Sequence, residues 1–141
     1  MDAIDLKILT CLQEDTTLPL AAIAKRVGLS STPCWRRIQK LEEAGVIRQR
    51  VALLDGTKLN CGVTVFVSIR TDQHTAAWLK KFASVVTDFP EVVEFYRMSG
   101  EIDYLLRVVV PDMTAYDNFY QRLIEAVDLS DVSSSFAMEQ I

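Results

Sequence analysis

The stretch that decides the fold is LAAIAKRVGLSSTPCWRRIQKLEEAGVI, residues 20–47. Four apolar residues recur in its first part at i, i+3, i+4 and i+7, namely Leu20, Ile23, Ala24 and Val27. That spacing predicts a helix with one apolar side. Gly28 follows as a typical C-terminal cap, and residues 30–32 supply hydroxyl groups for the start of another helix. Two helices joined by so short a glycine turn predict a helix-turn-helix.

The second helix of this motif, predicted over residues 31–44, has two different sides. At 100° per residue, Cys34, Ile38 and Leu41 fall within about 60° of one another and form an apolar side. Arg36 and Lys40 lie almost opposite. A helix that reads the DNA major groove needs cations and small hydroxyl groups on the side opposite its apolar side. The predicted DNA contacts are Ser31, Thr32, Pro33, Arg36, Arg37, Lys40, Arg48 and Arg50.

The distribution of charge supports this interpretation. The chain has a net charge of −4, yet residues 1–60 carry +2 and residues 61–141 carry −6. Between Lys25 and Arg50, seven cations stand against Glu42 and Glu43. A basic segment on an acidic chain is typical of a surface that binds a polyanion. Charge alone leaves open an ordinary solvated surface, on which Arg36, Arg37 and Lys40 would pair with the two glutamates.

Further elements flank the motif. Ile4, Ile8 and Leu12 recur every four residues, which predicts a preceding helix. Residues 46–54 alternate and are rich in β-branched side chains, which predicts a strand or wing carrying Arg48 and Arg50. Trp35 lies at the edge of the apolar helix side, where packing is favoured over stacking on DNA. The predicted domains are a winged helix-turn-helix over residues 1–54, a linker over 55–61 and a second domain over 62–141.

Residues 62–141 alternate between strand and helix patterns. The predicted elements are a strand over 62–70, a helix over 74–89, strands over 91–98 and 104–110, a helix opening at Pro111 and Asp112, and a strand over 132–141. The order βαββαβ predicts a ferredoxin-like sandwich, and the whole chain is of the α+β class. Phe66, Phe95 and Tyr96 cannot all lie on the sheet face that the helices cover. A second copy of the chain is therefore expected on the other face.

Several classes of protein are disfavoured. No apolar run approaches the about 18–20 residues of a membrane span, and the first residues lack a signal-peptide pattern, so we expect a cytoplasmic protein without a membrane partner. Cys11, Cys34 and Cys61 form no close pair, and His74 is the sole histidine. We expect no metal site and no cofactor. No phosphate loop, carboxylate pair or nucleophile–histidine arrangement indicates an enzyme.

Three ordered motifs resemble the Lrp/AsnC family, the feast/famine or leucine-responsive regulators of transcription. They are IDLKIL at residues 4–9, GLSSTPCWRRIQKLEEAGVI at 28–47 and SGEIDYLLRV at 99–108. The resemblance covers nearly the whole chain. It implies a winged helix-turn-helix joined to an αβ effector domain, amino acids as effectors, and homodimers that assemble further, typically to octamers. Members of the family usually extend beyond the position of Ile141, so part of the closing segment is expected to be missing.

The resemblance also implies where an effector binds, namely between subunits near the turn from the second to the third sandwich strand. The corresponding residues are Met98, Ser99, Gly100, Asp103 and Tyr104, with Ser133 and Ser135 on the last strand. Asp103 could accept from an α-amino group, and backbone N–H groups around Gly100 could hold a carboxylate. The alternative is that Gly100 only makes the turn and that Asp103 caps it.

Together these patterns predict a sequence-specific DNA-binding transcriptional regulator that an amino acid modulates. An amino-acid-binding adaptor without useful DNA affinity is the main alternative, and an enzyme is a more distant one. The intact cationic side of the predicted reading helix speaks against the adaptor.

Overall fold

The computed structural model describes residues 1–141, and the chain divides into two compact units. The first unit comprises Met1–Leu53 and the second comprises Leu54–Ile141. Most of the segment that the sequence predicts as a linker is not extended, because Thr57–Leu59 form one turn of 3-10 helix. Asp55 caps that turn by accepting from the backbone N–H and the hydroxyl of Thr57.

The first unit consists of three helices. They are α1 (Ala3–Glu14), α2 (Leu20–Val27) and α3 (Ser31–Glu43). Gly28 ends α2 in the left-handed conformation, with φ of 74°, so the cap predicted from the sequence is present. The apolar stripes of the three helices meet in one core, whose buried members are Ile8, Cys11, Leu12, Ile23, Ala24, Val27, Cys34, Ile38 and Leu41.

Residues 46–54 do not form the predicted strand or wing. No strand lies between α3 and the second unit, and the side chains of Val51 and Leu53 are 60% and 96% exposed. A strand needs the backbone N–H and C=O groups of a neighbouring strand, and no other segment of this chain pairs with these residues. The sequence alternation that suggested a strand cannot by itself supply that partner.

The second unit is a four-stranded antiparallel sheet with two helices. Its elements are β1 (Val63–Arg70), α4 (Ala76–Thr87), β2 (Val92–Arg97), β3 (Tyr104–Val110), α5 (Met113–Ala126) and β4 (Asp131–Phe136). The strand order is β2-β3-β1-β4, which confirms the predicted βαββαβ sandwich. The last strand ends at Phe136 rather than Ile141. Beyond it, only the N–H of Ala137 continues the pairing, by donating to the Thr64 carbonyl.

The two faces of this sheet have different surroundings. Val65, Val67 and Ile69 of β1 are fully buried in the core that α4 and α5 complete. Phe95 packs toward the same core and meets Phe82 edge to face, with ring centroids 5.4 Å apart. Phe66 and Tyr96 remain 39% and 49% exposed. The expectation that these three aromatic residues divide between the faces is therefore met.

None of the five α-helices combines the length and apolar character needed to cross a membrane.

Candidate nucleic-acid interface and ligand cleft

The side of α3 that faces away from the core carries cations without partners. Cys34, Ile38 and Leu41 are buried, as the sequence periodicity predicts. Arg36 and Lys40, opposite them, are exposed and belong to none of the ion pairs of the chain. Ser31, Thr32, Pro33 and, after the helix, Arg48 are exposed as well.

The beginning of α3 also has unused hydrogen-bonding capacity. Ser30 is the N-cap residue, but its side chain makes no capping hydrogen bond. The first N–H groups of a helix have no intrahelical acceptor, and the helix dipole makes this end favourable for an anion. An anionic group such as a phosphate could therefore approach the first turn without displacing a side-chain cap.

Two other predicted contact residues are engaged within the first unit. Arg37 forms ion pairs with Asp2 and Asp5, at 2.8 and 2.7 Å from its Nη1 atom. Arg50 donates from Nη2 to Glu42 Oε1 at 2.8 Å. Glu42, one of the two glutamates expected to pair with cations of α3 on a solvated surface, is thus paired with Arg50, which follows the helix.

Trp35 departs from the expected packing at the core edge. Its side chain is 50% exposed. It borders a shallow depression with Leu18 of the preceding turn, Ile23 of α2 and Gln39 of α3. At 100° per residue the ring is about 60° from Ile38, outside the buried stripe of α3, which leaves half of it out of the three-helix core.

A cleft of about 260 Å³ lies in the second unit, where the end of β2 meets the beginnings of α4 and β3. Its lining residues are His74, Thr75, Ala76, Leu79, Arg97, Met98, Asp103 and Tyr104. Sequence reasoning named Met98, Asp103 and Tyr104 but missed the other five. The signal that could have found Arg97 is the hairpin register, because Arg97 is directly opposite Tyr104 across β2 and β3.

Asp103 is held firmly at the edge of this cleft. Its Oδ2 atom accepts from the Thr71 N–H at 2.8 Å, its own N–H donates to the Ile69 carbonyl, and its carbonyl accepts from Met98. The alternative that Asp103 caps the Gly100 turn is not what its side chain does, because the carboxylate instead accepts from Thr71, which follows β1. Its second carboxylate oxygen makes no hydrogen bond within the chain, so one acceptor faces outward.

The other predicted effector residues are distributed around this cleft or away from it. The ring of Tyr104 is only 5% exposed and packs among the rings of Trp78, Phe82 and Phe95. Gly100 has φ of 111°, a conformation that side-chain-bearing residues rarely adopt, and it is exposed in the β2–β3 turn next to Ser99.

Ser133 and Ser135 do not line the cleft. They are exposed on β4, on the sheet face opposite the helices, and pair with Ser68 and Phe66 of β1. Because β1 separates β4 from β3, and strands are about 4.8 Å apart, these serines lie about 10 Å or more to the side of Asp103. One chain alone does not bring the two groups together.

The same sheet face combines apolar and paired charged side chains. Phe66 and Tyr96 are exposed there, while Arg107 donates to Glu94 at 2.9 Å. This hydrogen bond holds the pKa of Glu94 below its usual value, so the glutamate is ionised at neutral pH. With its charges paired, the face is chemically suited to contact another apolar surface.

Comparison with known protein families settles which family this chain represents. The AsnC-type helix-turn-helix domain matches residues 1–42, and the Lrp/AsnC ligand-binding domain matches residues 64–141. The chain belongs to the Lrp/AsnC family. It is a DNA-binding transcriptional regulator with a ligand-binding domain, and not an enzyme.

Individual relatives agree with this membership. The DNA-binding transcriptional activator DecR of Escherichia coli K12 is 54% identical, covering 100% of this chain and 93% of DecR. An AsnC family regulator of Agrobacterium tumefaciens has a crystal structure with 69% identity and a TM-score of 0.95, covering 100% of this chain and 92% of that one. A Neisseria meningitidis regulator solved with L-Met is 36% identical, with a TM-score of 0.94 and the same coverage.

Proposed function

We propose that this Lrp/AsnC regulator reads duplex DNA with the exposed side of α3, and that an amino acid bound in the second unit changes its DNA occupancy. The observation that carries the first part is the contrast on α3 between Arg36 and Lys40, which are exposed and unpaired, and the buried stripe behind them. A helix fixed by one side to its own core presents the other side as a rigid reading surface.

The residues of this surface have different expected roles. Arg36 can offer a planar, two-pronged set of donors to guanine, while Lys40 and Arg48 act as point charges on phosphates. Ser31, Thr32 and Pro33 lie at the uncapped beginning of α3, where a phosphate is favoured. These contacts predict both a sequence preference and a steep dependence of affinity on salt.

The cleft in the second unit is the proposed effector site. The unengaged carboxylate oxygen of Asp103 can accept from an α-ammonium group, and Arg97, which forms no ion pair in the chain, can bind an α-carboxylate. Leu79 and Met98 supply apolar surface for an effector side chain. At about 260 Å³ the cleft is slightly smaller than the about 300–1,000 Å³ of sites for drug-sized ligands, which suits a free amino acid.

A second copy of the chain is the proposed partner of the exposed sheet face. Phe66 and Tyr96 give that face apolar area, and Arg107 and Glu94 beside them neutralise each other as a pair. In such a homodimer, or a larger assembly such as an octamer, Ser133 and Ser135 would become interface residues. They could then approach an effector bound near the Asp103 of a neighbouring subunit.

Coupling between the sites follows from linkage. An amino acid with different affinities for two assembly states shifts the balance between them, and DNA binding shifts with it. A two-fold symmetric dimer places two copies of α3 in successive major grooves, so the preferred duplex should be nearly palindromic. We place this activity in the cytoplasm, with no cofactor beyond the amino acid.

The decisive test replaces Arg36 and Lys40 with alanine and measures binding to a duplex that the unsubstituted protein selects from a random-sequence library. Loss of one base contact and one phosphate contact should weaken binding on the order of a hundredfold or more. Lys80→Ala with Lys81→Ala, on the exposed surface of α4, removes the same charge and should bind normally. Unchanged affinity in the Arg36 and Lys40 variant would refute the reading face. Failure of the unsubstituted chain to select any duplex would favour the adaptor.

A further inference from the structure

Arg37 lies on the flank of α3, between the buried stripe and the exposed cations. At 100° per residue it stands about 60° from Cys34 on one side and about 60° from Lys40 on the other. Its Nη1 atom donates to Asp2 Oδ2 at 2.8 Å and to Asp5 Oδ1 at 2.7 Å. Asp2 is the N-cap residue of α1, and Asp5 lies in its first turn. The guanidinium therefore connects the flank of α3 to the beginning of α1.

The two carboxylates are fixed by α1 itself. Asp2 Oδ1 accepts from the N–H groups of Ile4 and Asp5, and Asp5 Oδ2 accepts from the Asp2 N–H, which completes a capping box. Each carboxylate thus uses one oxygen in the cap and offers the other to Arg37. The backbone hydrogen bonds, followed by the bonds from Arg37, lower the pKa of both carboxyl groups, so the cluster is ionised at neutral pH.

The other contacts of α3 fix which side of the helix faces the core, but not the fine setting of its rotation. Cys34, Ile38 and Leu41 anchor the buried side by apolar packing, which lacks the directionality of a hydrogen bond. The N-cap residue Ser30 makes no side-chain bond that would fix the first turn. Charge-assisted hydrogen bonds are directional and short. With a helix radius of about 5–6 Å including side chains, a rotation of about 10° would move the exposed side by about 1 Å.

The charge of the cluster argues against a direct contact between Arg37 and DNA. Two carboxylates and one guanidinium carry a net charge of −1, which repels a phosphate rather than attracting it. Arg36 and Lys40, in contrast, have no acidic partner. The side chain of Arg37 is also less accessible, at 31% exposure.

We propose that Arg37 is a positioning residue, which sets the rotation of α3 by fastening its flank to Asp2 and Asp5 and makes no contact with bases or phosphates. This inference rests on the proposed reading role of Arg36 and Lys40, because the rotation matters only if those side chains must meet defined atoms of the duplex. It reassigns one of the residues that the sequence pattern places among the DNA contacts.

The salt dependence of binding separates positioning from contact. Binding of the full-length chain to its selected duplex is measured over a range of salt concentrations, well below the thermal unfolding temperature of each variant. Arg37→Met should weaken binding by about tenfold, because it loosens the alignment of the reading side chains, and should leave the slope of log K against log salt unchanged. Lys40→Met, the comparison variant for a phosphate contact, should reduce the magnitude of that slope by about 1.

Further variants test the carboxylates. Asp2→Asn with Asp5→Asn should weaken binding about as much as Arg37→Met, and combining all three changes should add little, since they remove one shared contact. Arg37→Lys, which keeps a cation able to reach the carboxylates, should restore part of the affinity. Lys81→Met, an exposed cation of α4, should have no effect. A merely stabilising contact would change the unfolding temperature and leave the affinity of the folded protein unchanged.

Three results would overturn the inference. A slope reduced by about 1 in Arg37→Met would make Arg37 a phosphate contact. Normal affinity of the folded Arg37→Met protein would mean that Arg37 contributes only to stability. Normal affinity of the Asp2→Asn, Asp5→Asn variant would mean that the two carboxylates do not position α3. Each of these leaves the proposed function intact, whereas failure of the unsubstituted chain to bind any duplex would overturn both together.

Discussion

The two units of the chain differ in what they leave uncovered. The first unit buries its apolar stripes among three helices and presents Arg36 and Lys40 on the outside. The second buries one face of its sheet under α4 and α5 but leaves Phe66 and Tyr96 exposed on the other. A surface of unpaired cations suits a polyanion, while an exposed apolar face with paired charges suits another protein surface.

The functional residues of the two units are also distributed differently along the sequence. In the first unit, the reading residues lie on one helix and follow from its periodicity. In the second, the cleft is built from residues 74–79 and from both sides of the β2–β3 hairpin, residues 97–98 and 103–104. Different substitutions in the second unit should therefore change its free energy of unfolding, its assembly or its affinity for an effector.

The largest expected effect is on the core of the second unit. Phe119 is fully buried and meets Phe89 edge to face, so Phe119→Ala should lower the free energy of unfolding by about 3–5 kcal/mol. Urea titration of a Trp35→Phe background, with Trp78 fluorescence as the reporter of this unit, measures the change. Met113→Ala, on the same helix and 60% exposed, is the control and should stay within about 0.5 kcal/mol. Equal effects would contradict the assigned core.

The next largest effect is expected on assembly. Phe66→Asp removes the apolar ring and adds a second carboxylate beside Arg107, which already pairs with Glu94, and burying the surplus charge against a second copy would cost several kcal/mol. Light scattering coupled to size-exclusion chromatography should therefore show dissociation to a smaller species. Met113→Asp changes an exposed apolar residue outside that face and should retain the original mass. A Phe66→Asp protein of unchanged mass would show that the face is not an interface.

A smaller and more specific effect is expected at the effector cleft. Asp103→Asn keeps an oxygen for the Thr71 N–H but removes the charge proposed to bind an α-ammonium group. The affinity should fall about 10–100-fold for whichever standard amino acid most stabilises the unsubstituted protein in a thermal-shift screen. Calorimetric titration measures this change, while duplex binding without amino acid should remain normal. Normal amino-acid affinity in this variant would end the assignment of Asp103.

The smallest expected effect is a dependence of the first unit's stability on acidic pH. The N–H group of Asp2, followed by Arg37, lowers the pKa of Asp5 from an ordinary value of 3.8, so the unfolded chain takes up the proton first. The stabilisation that Asp5 contributes is complete above that ordinary value and disappears as the pH falls through the lower folded value. Thermal unfolding of Asp5→Asn and the unsubstituted chain should accordingly differ at neutral pH and converge in acid. A constant difference at all pH values would contradict the ion pair.

Much of the architecture could be predicted from local sequence. The buried stripe of α3, the left-handed Gly28 and the order βαββαβ all follow from periodicity and turn chemistry. The strand expected over residues 46–54 was wrong, because alternation describes a side-chain pattern and not the presence of a pairing strand. Periodicity also places Trp35 at the edge of the buried stripe of α3, but it does not decide how much of the ring the neighbouring helices cover.

The sites were only partly accessible to such reasoning. Arg36 and Arg37 are adjacent in sequence and alike in chemistry, yet one is unpaired and the other is fastened to carboxylates more than thirty residues away. Only the packing of α1 against α3 distinguishes them. Arg97 was missed for a similar reason, since it enters the cleft through its register with Tyr104 rather than through any motif.

The measurement that addresses the reading face most directly is lysine acetylation of the full-length chain with and without its selected duplex, followed by mass spectrometry. Lys40 lies on the exposed side of α3, while Lys80 and Lys81 on α4 serve as internal controls. Saturating duplex should protect Lys40 and leave both α4 lysines as reactive as before. Full reactivity of Lys40 in the saturated complex would contradict the account.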